Sequence, residues 1–282
     1  MLAYRHAFHA GNDADVLKHL VFAQVLHHLN QKDKGYRVVD THAGAGGYSL
    51  EGGPAHKRSE YQNGIGRLWE RDDLPPAVAD YVGLVRAFNA DGRLTQSPGS
   101  PAIAHMLCRP QDELRLFELH PTDHKILQSY LGEEPGVRAT LGDGFAALKS
   151  QLPPPTRRGV VLIDPPYEIK TDYARVLAAV RECLQRFADG TVIVWMPQLQ
   201  LLEATQLPQR LKASAGPAKK GWLHARLTLA APDARGFGML GSSVFVLNPP
   251  HTLAEVLRTE LPWLAQVLAR IDAPQWRVET GG

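Results

Sequence analysis

Short apolar runs alternating with helical patterns constrain this chain more than any other feature. Residues 37–40, 114–119, 137–141, 160–163, 192–195, 223–229 and 243–247 read as strands, and helical patterns over 101–107, 122–130, 145–152, 173–187 and 201–211 separate most of them. Such alternation buries both faces of a sheet under helices, and so predicts an α/β fold with a mostly parallel sheet. A loop without a helix joins the last two runs, which permits an antiparallel hairpin there. Ahead of the first strand, residues 12–32 read as a helix with a broad apolar face, capped by Asn12 or Asp13. Residues 51–97 break the rhythm, with Gly52-Gly53-Pro54, helical patterns around 65–70 and 77–88, and no legible strand. This stretch is expected to be a helical insertion subdomain, and the sheet domain is expected to comprise 1–50 and 98–282.

Composition excludes several classes. With 44% hydrophobic and 21% charged residues, the 282-residue chain is not a disordered one. A net charge of +2 excludes a polycation that holds nucleic acid by bulk charge. Phosphate contacts must then be local, and Lys57-Arg58, Arg157-Arg158 and Lys219-Lys220 are candidates. Cys108 and Cys183 cannot form a disulfide framework and suit a reducing cytoplasm. The first residues lack a signal-peptide core, and no run approaches the ~18 apolar residues of a membrane span. His6, His9, His19 and His42 follow no zinc spacing, so no metal is expected.

Three patterns carry chemistry. Asp164-Pro165-Pro166-Tyr167 directly follows the run 160–163, at the carboxyl end of a strand, where ligands of open α/β sheets bind. An exocyclic amine on a base is a poor nucleophile because its lone pair is delocalised into the ring. Asp164 and the Pro165 carbonyl can accept its N–H bonds and favour the pyramidal form. The Tyr167 ring can stack on a base swung out of its helix. A second Pro-Pro pair, Asn248-Pro-Pro-His251, lacks the aromatic ring and reads as a strand exit.

Asp40-Thr-His42-Ala-Gly44-Ala-Gly46-Gly47 is a strand end running into a glycine loop. A dinucleotide fingerprint needs a third glycine where Ser49 stands. The acidic strand end suits a cationic cofactor better than a pyrophosphate. Glu118 and Asp143-Gly144 close two further strands, where carboxylates can accept from ribose hydroxyls and an adenine amine. Near the amino terminus, Lys18-His19 opposes the dipole of the helix start and hints at a positive site. Tyr4, Arg5, His6 and Lys18 offer a stacking ring and positive charge, as expected of a lid over an RNA strand.

The segments Tyr4-Arg-His-Ala-Phe-His-Ala-Gly-Asn12, Asp15-Val-Leu-Lys-His19, Asp40-Thr-His-Ala-Gly-Ala-Gly46, Pro98-Gly-Ser-Pro101, Glu118-Leu-His-Pro121 and Leu162-Ile-Asp-Pro-Pro-Tyr-Glu168 resemble those of the bacterial 23S ribosomal RNA adenine-2030 N6-methyltransferases, the J family of the large subunit. The resemblance runs from Met1 to Leu247 and thins beyond Gln198. It implies a Rossmann-like class I methyltransferase sheet with a small helical insertion after the first strand. It implies S-adenosyl-L-methionine bound by His19, His42, Ser100, Glu118, Asp143, Gly144 and Asp164. It implies Asp164 as the catalytic acceptor and Tyr4 as a substrate-side residue. The partner expected is 23S ribosomal RNA, and the expected state is a cytoplasmic monomer.

The rival readings have features against them. A DNA adenine N6-methyltransferase would use the same chemistry on another polymer. Asp164 in place of Asn counts against a protein-glutamine methyltransferase. The missing third glycine counts against an NAD-dependent oxidoreductase, and the intact Asp164–Tyr167 block against a non-catalytic RNA binder.

Overall fold

A computed structural model describes residues 6–51, 59–233 and 238–282. Helix α1 (Asp13–Asn30) starts where the Asn12 side chain accepts the Asp15 N–H at 3.0 Å. Strand β1 (Arg37–Asp40) follows, then the glycine loop and a short strand β2 (Gly47–Ser49). Helix α2 (Pro76–Phe88) leads to β3 (Gln96–Pro98), which pairs antiparallel with β2. That ribbon is a correction, because the stretch 51–97 was expected to hold no strand. Alternation then resumes with α3 (Ser100–Leu107), β4 (Glu113–Glu118), α4 (Pro121–Leu131), β5 (Val137–Leu141), α5 (Gly144–Gln151), β6 (Gly159–Ile163), α6 (Thr171–Arg186), β7 (Thr191–Gln198) and α7 (Leu202–Ser214). Strands β8 (Trp222–Thr228) and β9 (Gly241–Leu247), helix α8 (Leu253–Leu268) and β10 (Gln275–Gly281) complete the chain.

The main sheet has the order β10–β8–β9–β7–β6–β1–β4–β5. Strands β5, β4, β1, β6 and β7 run parallel, whereas β9, β8 and β10 pair antiparallel. The expected hairpin is present, with β9 lying between β7 and β8. Strand order reverses between β1 and β6, and that switch point opens a crevice at their carboxyl ends.

Strand parity divides the core into two layers. Val38, Leu116, Leu162, Ile193 and Val246 face α1, α2, α3, α4 and α8. Val39, Val161, Ile163, Val194 and Leu247 face α5, α6 and α7. Helix α1 is buried on almost every side, since Leu17, Leu20, Val21, Phe22, Val25 and Leu26 are all inaccessible. The sheet covers one side, and Tyr81, Val82 and Val85 of α2 join the same core. The segment 51–97 therefore shares its apolar core with α1 and the sheet.

Asn248 is a structural tie, as its strand-exit reading requires. Its amide donates to the carbonyls of Ala188 at 2.8 Å and Gly190 at 2.7 Å, and its oxygen accepts the Lys220 N–H at 2.9 Å. Its φ of +50° lies in the left-handed region, which Asn tolerates better than most residues. Asn248→Ala strands buried carbonyls and is expected to cost about 2–4 kcal/mol in urea unfolding. The site lies at the other end of the sheet, so affinity for S-adenosylhomocysteine should stay within twofold.

Candidate active site

The crevice at the carboxyl ends of β1, β4 and β6 contains a cavity of about 360 Å³. His6, Lys18, His19, His42, Ser100, Glu118 and Asp164 all line it. The topology thus brings together residues spread over most of the chain. Gly44 (φ +62°) and Gly46 (φ +86°) take backbone conformations that side chains resist, and this turns the loop after β1 over the cavity. The loop is pinned from the next strand. Glu118 accepts the Gly44 N–H at 2.8 Å through one oxygen and the His120 N–H at 2.6 Å through the other.

A buried ionic chain joins α1 to the end of β6. Lys18 Nζ lies 2.8 Å from Asp15 Oδ1 and 2.6 Å from Asp164 Oδ2, and the lysine is only 4% exposed. Asp15 also accepts from the Gly11 N–H at 2.9 Å and lies 3.0 Å from His6 Nε2. Burial alone would lower the Lys18 pKa, but Asp15 and Asp164 outweigh it and hold the ammonium above its ordinary value. Burial likewise opposes the Asp15 charge, and His6, Lys18 and His19 bring its pKa well below the usual carboxylate range. The positive site expected at Lys18-His19 is therefore an internally neutralised one. Asp15 was named in the sequence without a role. Its i, i+3 spacing to Lys18 on one helix face was the available signal.

Two histidines of the cavity, His19 and His42, are neutral. Burial pushes His19 down to about 3 against the pull of Asp15, and His42 down to about 4 against Asp164 and Asp143. Neither ring nitrogen of His19 has a hydrogen-bond partner among the described residues, although both are buried. Such groups carry a desolvation cost that a ligand can relieve. Burial raises Asp40 to about 6, although the Ser100 hydroxyl and the His42 N–H bond to its oxygens at 2.6 and 3.1 Å. Asp40 is buried behind the cavity and does not line it, so the expected cation partner at the end of β1 is instead a support for Ser100 and His42.

Other expected residues stand elsewhere. Asp143 caps α5 by accepting the Phe145 N–H at 2.9 Å, and it pairs with Arg175, which does line the cavity. Gly144 packs so closely that a Cβ would meet the Thr41 carbonyl oxygen at 2.1 Å. Asp143 and Gly144 thus support the cavity from outside its lining. Pro165 is buried beneath the site, whereas Pro166 lines it. Tyr167 requires a correction. It is 6% exposed, belongs to the core layer of α6, and donates its hydroxyl to the Trp195 carbonyl at 2.7 Å. Its φ of +52° turns the ring away from α1, so in this conformation it faces no cavity where a base could stack. Tyr4, Arg5 and the pair Lys57-Arg58 lie outside the described residues. Arg157-Arg158 precedes β6, and Lys220 is bonded to Asn248, so these two basic pairs sit at the sheet end away from the site.

The His19 titration has a stability consequence. Its pKa is about 3 in the folded chain and about 6.5 in an unfolded one. Between those values the unfolded chain binds a proton that the native one refuses, so stability is lost as pH falls, by up to ~1.4 kcal/mol per unit. His19→Gln removes that proton. Urea unfolding at pH 7, 6 and 5 should show a shallower loss for this variant than for the parent chain.

Comparison with known proteins agrees with this geometry. The family model described as "Ribosomal RNA large subunit methyltransferase D, RlmJ" matches residues 33–280. Ribosomal RNA large subunit methyltransferase J of Escherichia coli (strain K12) is 44% identical over 264 residues, covering 94% of this chain and 93% of that protein. The enzyme of the same name from Haemophilus influenzae is 42% identical over 281 residues, covering 99% and 98%. A crystal structure of a Legionella pneumophila protein superposes with a TM-score of 0.88 at 31% identity, covering 97% of this chain and 98% of that one. This chain therefore belongs to the ribosomal RNA large subunit methyltransferase J family.

Proposed function

We propose that the chain transfers the methyl group of S-adenosyl-L-methionine to the N6 amine of an adenine in 23S ribosomal RNA. The observation that carries this reading is the position of Asp164. It stands at the β1/β6 switch point and lines both the 360 Å³ cavity and a second one of about 540 Å³. One cavity suits a cofactor and the other an acceptor, with one carboxylate between them.

The first cavity fits a cationic cofactor. Glu118, Asp123 and Asp164 contribute carboxylates, the two unpartnered nitrogens of His19 offer hydrogen bonds, and the glycine loop lets backbone approach closely. His19, His42, Ser100 and Glu118 would hold the cofactor, with Asp143 and Gly144 supporting them. When bound there, S-adenosyl-L-methionine supplies an electrophilic methyl group. Asp164 accepts an N–H of the target amine, which gathers its lone pair on nitrogen. The buried Pro165 and the adjoining Pro166 stiffen the turn and fix that carboxylate. Lys18 pairs with Asp164 through Oδ2, so the carboxylate keeps its other oxygen for an entering amine while the ammonium stays paired with both aspartates. Much of the rate then comes from positioning. His6 borders both cavities, and with Tyr4 and Lys18 it forms the proposed substrate side. We read the enzyme as a monomer, and ribosomal RNA as substrate supports a cytoplasmic location.

Single-turnover transfer to 23S ribosomal RNA, with mapping of N6-methyladenine, tests the reading. Asp164→Ala should lower the rate by ~10²–10³, the usual loss for a preorganised polar group. Glu118→Ala should weaken S-adenosylhomocysteine by roughly 1.5–3 kcal/mol in calorimetry, because it removes a charged acceptor and unpins the Gly44 loop. An Asp164→Ala enzyme of undiminished rate would place the amine acceptor elsewhere.

A further inference from the structure

The second cavity has a wall whose role the family resemblance does not supply. Trp195, Pro197 and Leu199 follow one another at alternate positions along β7 and just past its end. Ile193 of the same parity packs into the α1 core, Trp195 packs against both core layers, and Leu199, past the end of the strand, packs on the layer of α6 and α7. The Trp195 ring centroid lies 6.0 Å from Lys18 Nζ, and Asp164 and Pro166 close the same cavity. The indole Nε1 is buried and has no hydrogen-bond partner among the described residues. Behind the strand, the hydroxyl of Tyr167 holds the Trp195 carbonyl at 2.7 Å, and the two rings lie 6.0 Å apart. The aromatic residue of the Asp-Pro-Pro-Tyr turn therefore braces this wall from the opposite layer.

We infer that Trp195 is the residue against which the target adenine lies, with Pro197 and Leu199 extending the apolar slot. This rests on the adenine N6 reading above. A purine matches the slot in two ways. Its flat apolar faces fit an aromatic and aliphatic wall. Its exocyclic amine reaches the carboxylate that closes the slot toward the cofactor cavity. A base swung out of an RNA strand exposes these features together. Tyr167 acts as a positioning residue through the Trp195 backbone.

Trp195→Leu and Trp195→Phe test the assignment, with 23S ribosomal RNA as acceptor. Trp195→Leu should raise KM for RNA about tenfold or more, the scale of a lost base–aromatic contact. Trp195→Phe keeps a ring, so it should fall between Leu and the parent enzyme. Affinity for S-adenosylhomocysteine and the melting temperature should hold for both. A second measurement reads the contact directly. RNA carrying 2-aminopurine at the target position should fluoresce more brightly on Trp195→Leu than on the parent enzyme, because the quenching indole is gone. Unchanged KM and unchanged fluorescence would overturn the inference, as would equal losses in RNA and cofactor affinity, which signify a structural role. A parent enzyme that makes no N6-methyladenine would instead overturn the reading on which the inference rests.

Discussion

The ion chain Asp15–Lys18–Asp164 is the interaction on which the rest of this molecule depends. A buried ammonium without partners costs several kcal/mol, and Lys18 avoids that cost only while both carboxylates stay within reach. One of them is on its own helix, one turn back. The other closes a strand on the far side of the polypeptide, 146 residues away. Helix α1 must therefore start at the carboxyl end of the sheet and run down its face at a fixed height and rotation, reaching the entrance of β6, where Arg158 donates to the Leu29 carbonyl at 2.7 Å. Its remaining sides are apolar, and α2 with its neighbours covers them. Helix α2 and its neighbours thus roof the buried turns of α1, which are too apolar around their circumference to face water.

Parity along the strands then distributes the roles. Residues at β7 alternate between the layer of α1 and the layer of α6, with Ile193 on one side and Val194 on the other. Tyr167 leaves β6 through a left-handed turn and enters the opposite layer, where it packs on Tyr173 at 4.8 Å. A single backbone dihedral thus decides whether that ring meets a base or braces the strand beside it.

The same physics explains what the sequence could show. Runs such as 160–163 were legible because a strand buried on both faces is continuously apolar, and an acidic residue ending it marks the crevice. Asp164 and Glu118, read as acidic strand ends, line the crevice, and His42 of the loop after β1 stands beside them. Helix α8 and strand β10 were not read, since Pro262 interrupts the helical pattern and Gln275–Gly281 is a largely polar edge strand. Asp143 sits at a strand end as expected, yet the four orphan N–H groups of the following helix compete for its carboxylate. Arg157-Arg158 and Lys219-Lys220 stand away from the site because both enter strands. β8 runs in the direction of β6, since two antiparallel steps separate it from β7, so the segments entering β6 and β8 lie at the end of the sheet opposite the one that Asp164 leaves.

Electrostatics finally separates this crevice from the dinucleotide sites that share its topology. Glu118, Asp123, Asp164, Glu168 and Asp172 line the first cavity, against Lys18 and Arg175. Lys18 is spent on carboxylates, and Arg175 is paired with Asp143. His19 and His42 add no positive charge, because burial keeps both neutral well below pH 7. The resulting surplus of negative charge repels a pyrophosphate and attracts a sulfonium and an ammonium. In a partly buried site each such pair is worth more than in water. The glycine loop alone is compatible with either kind of cofactor. The carboxylates around it, and the neutrality of the two histidines, are what turn it toward a cation.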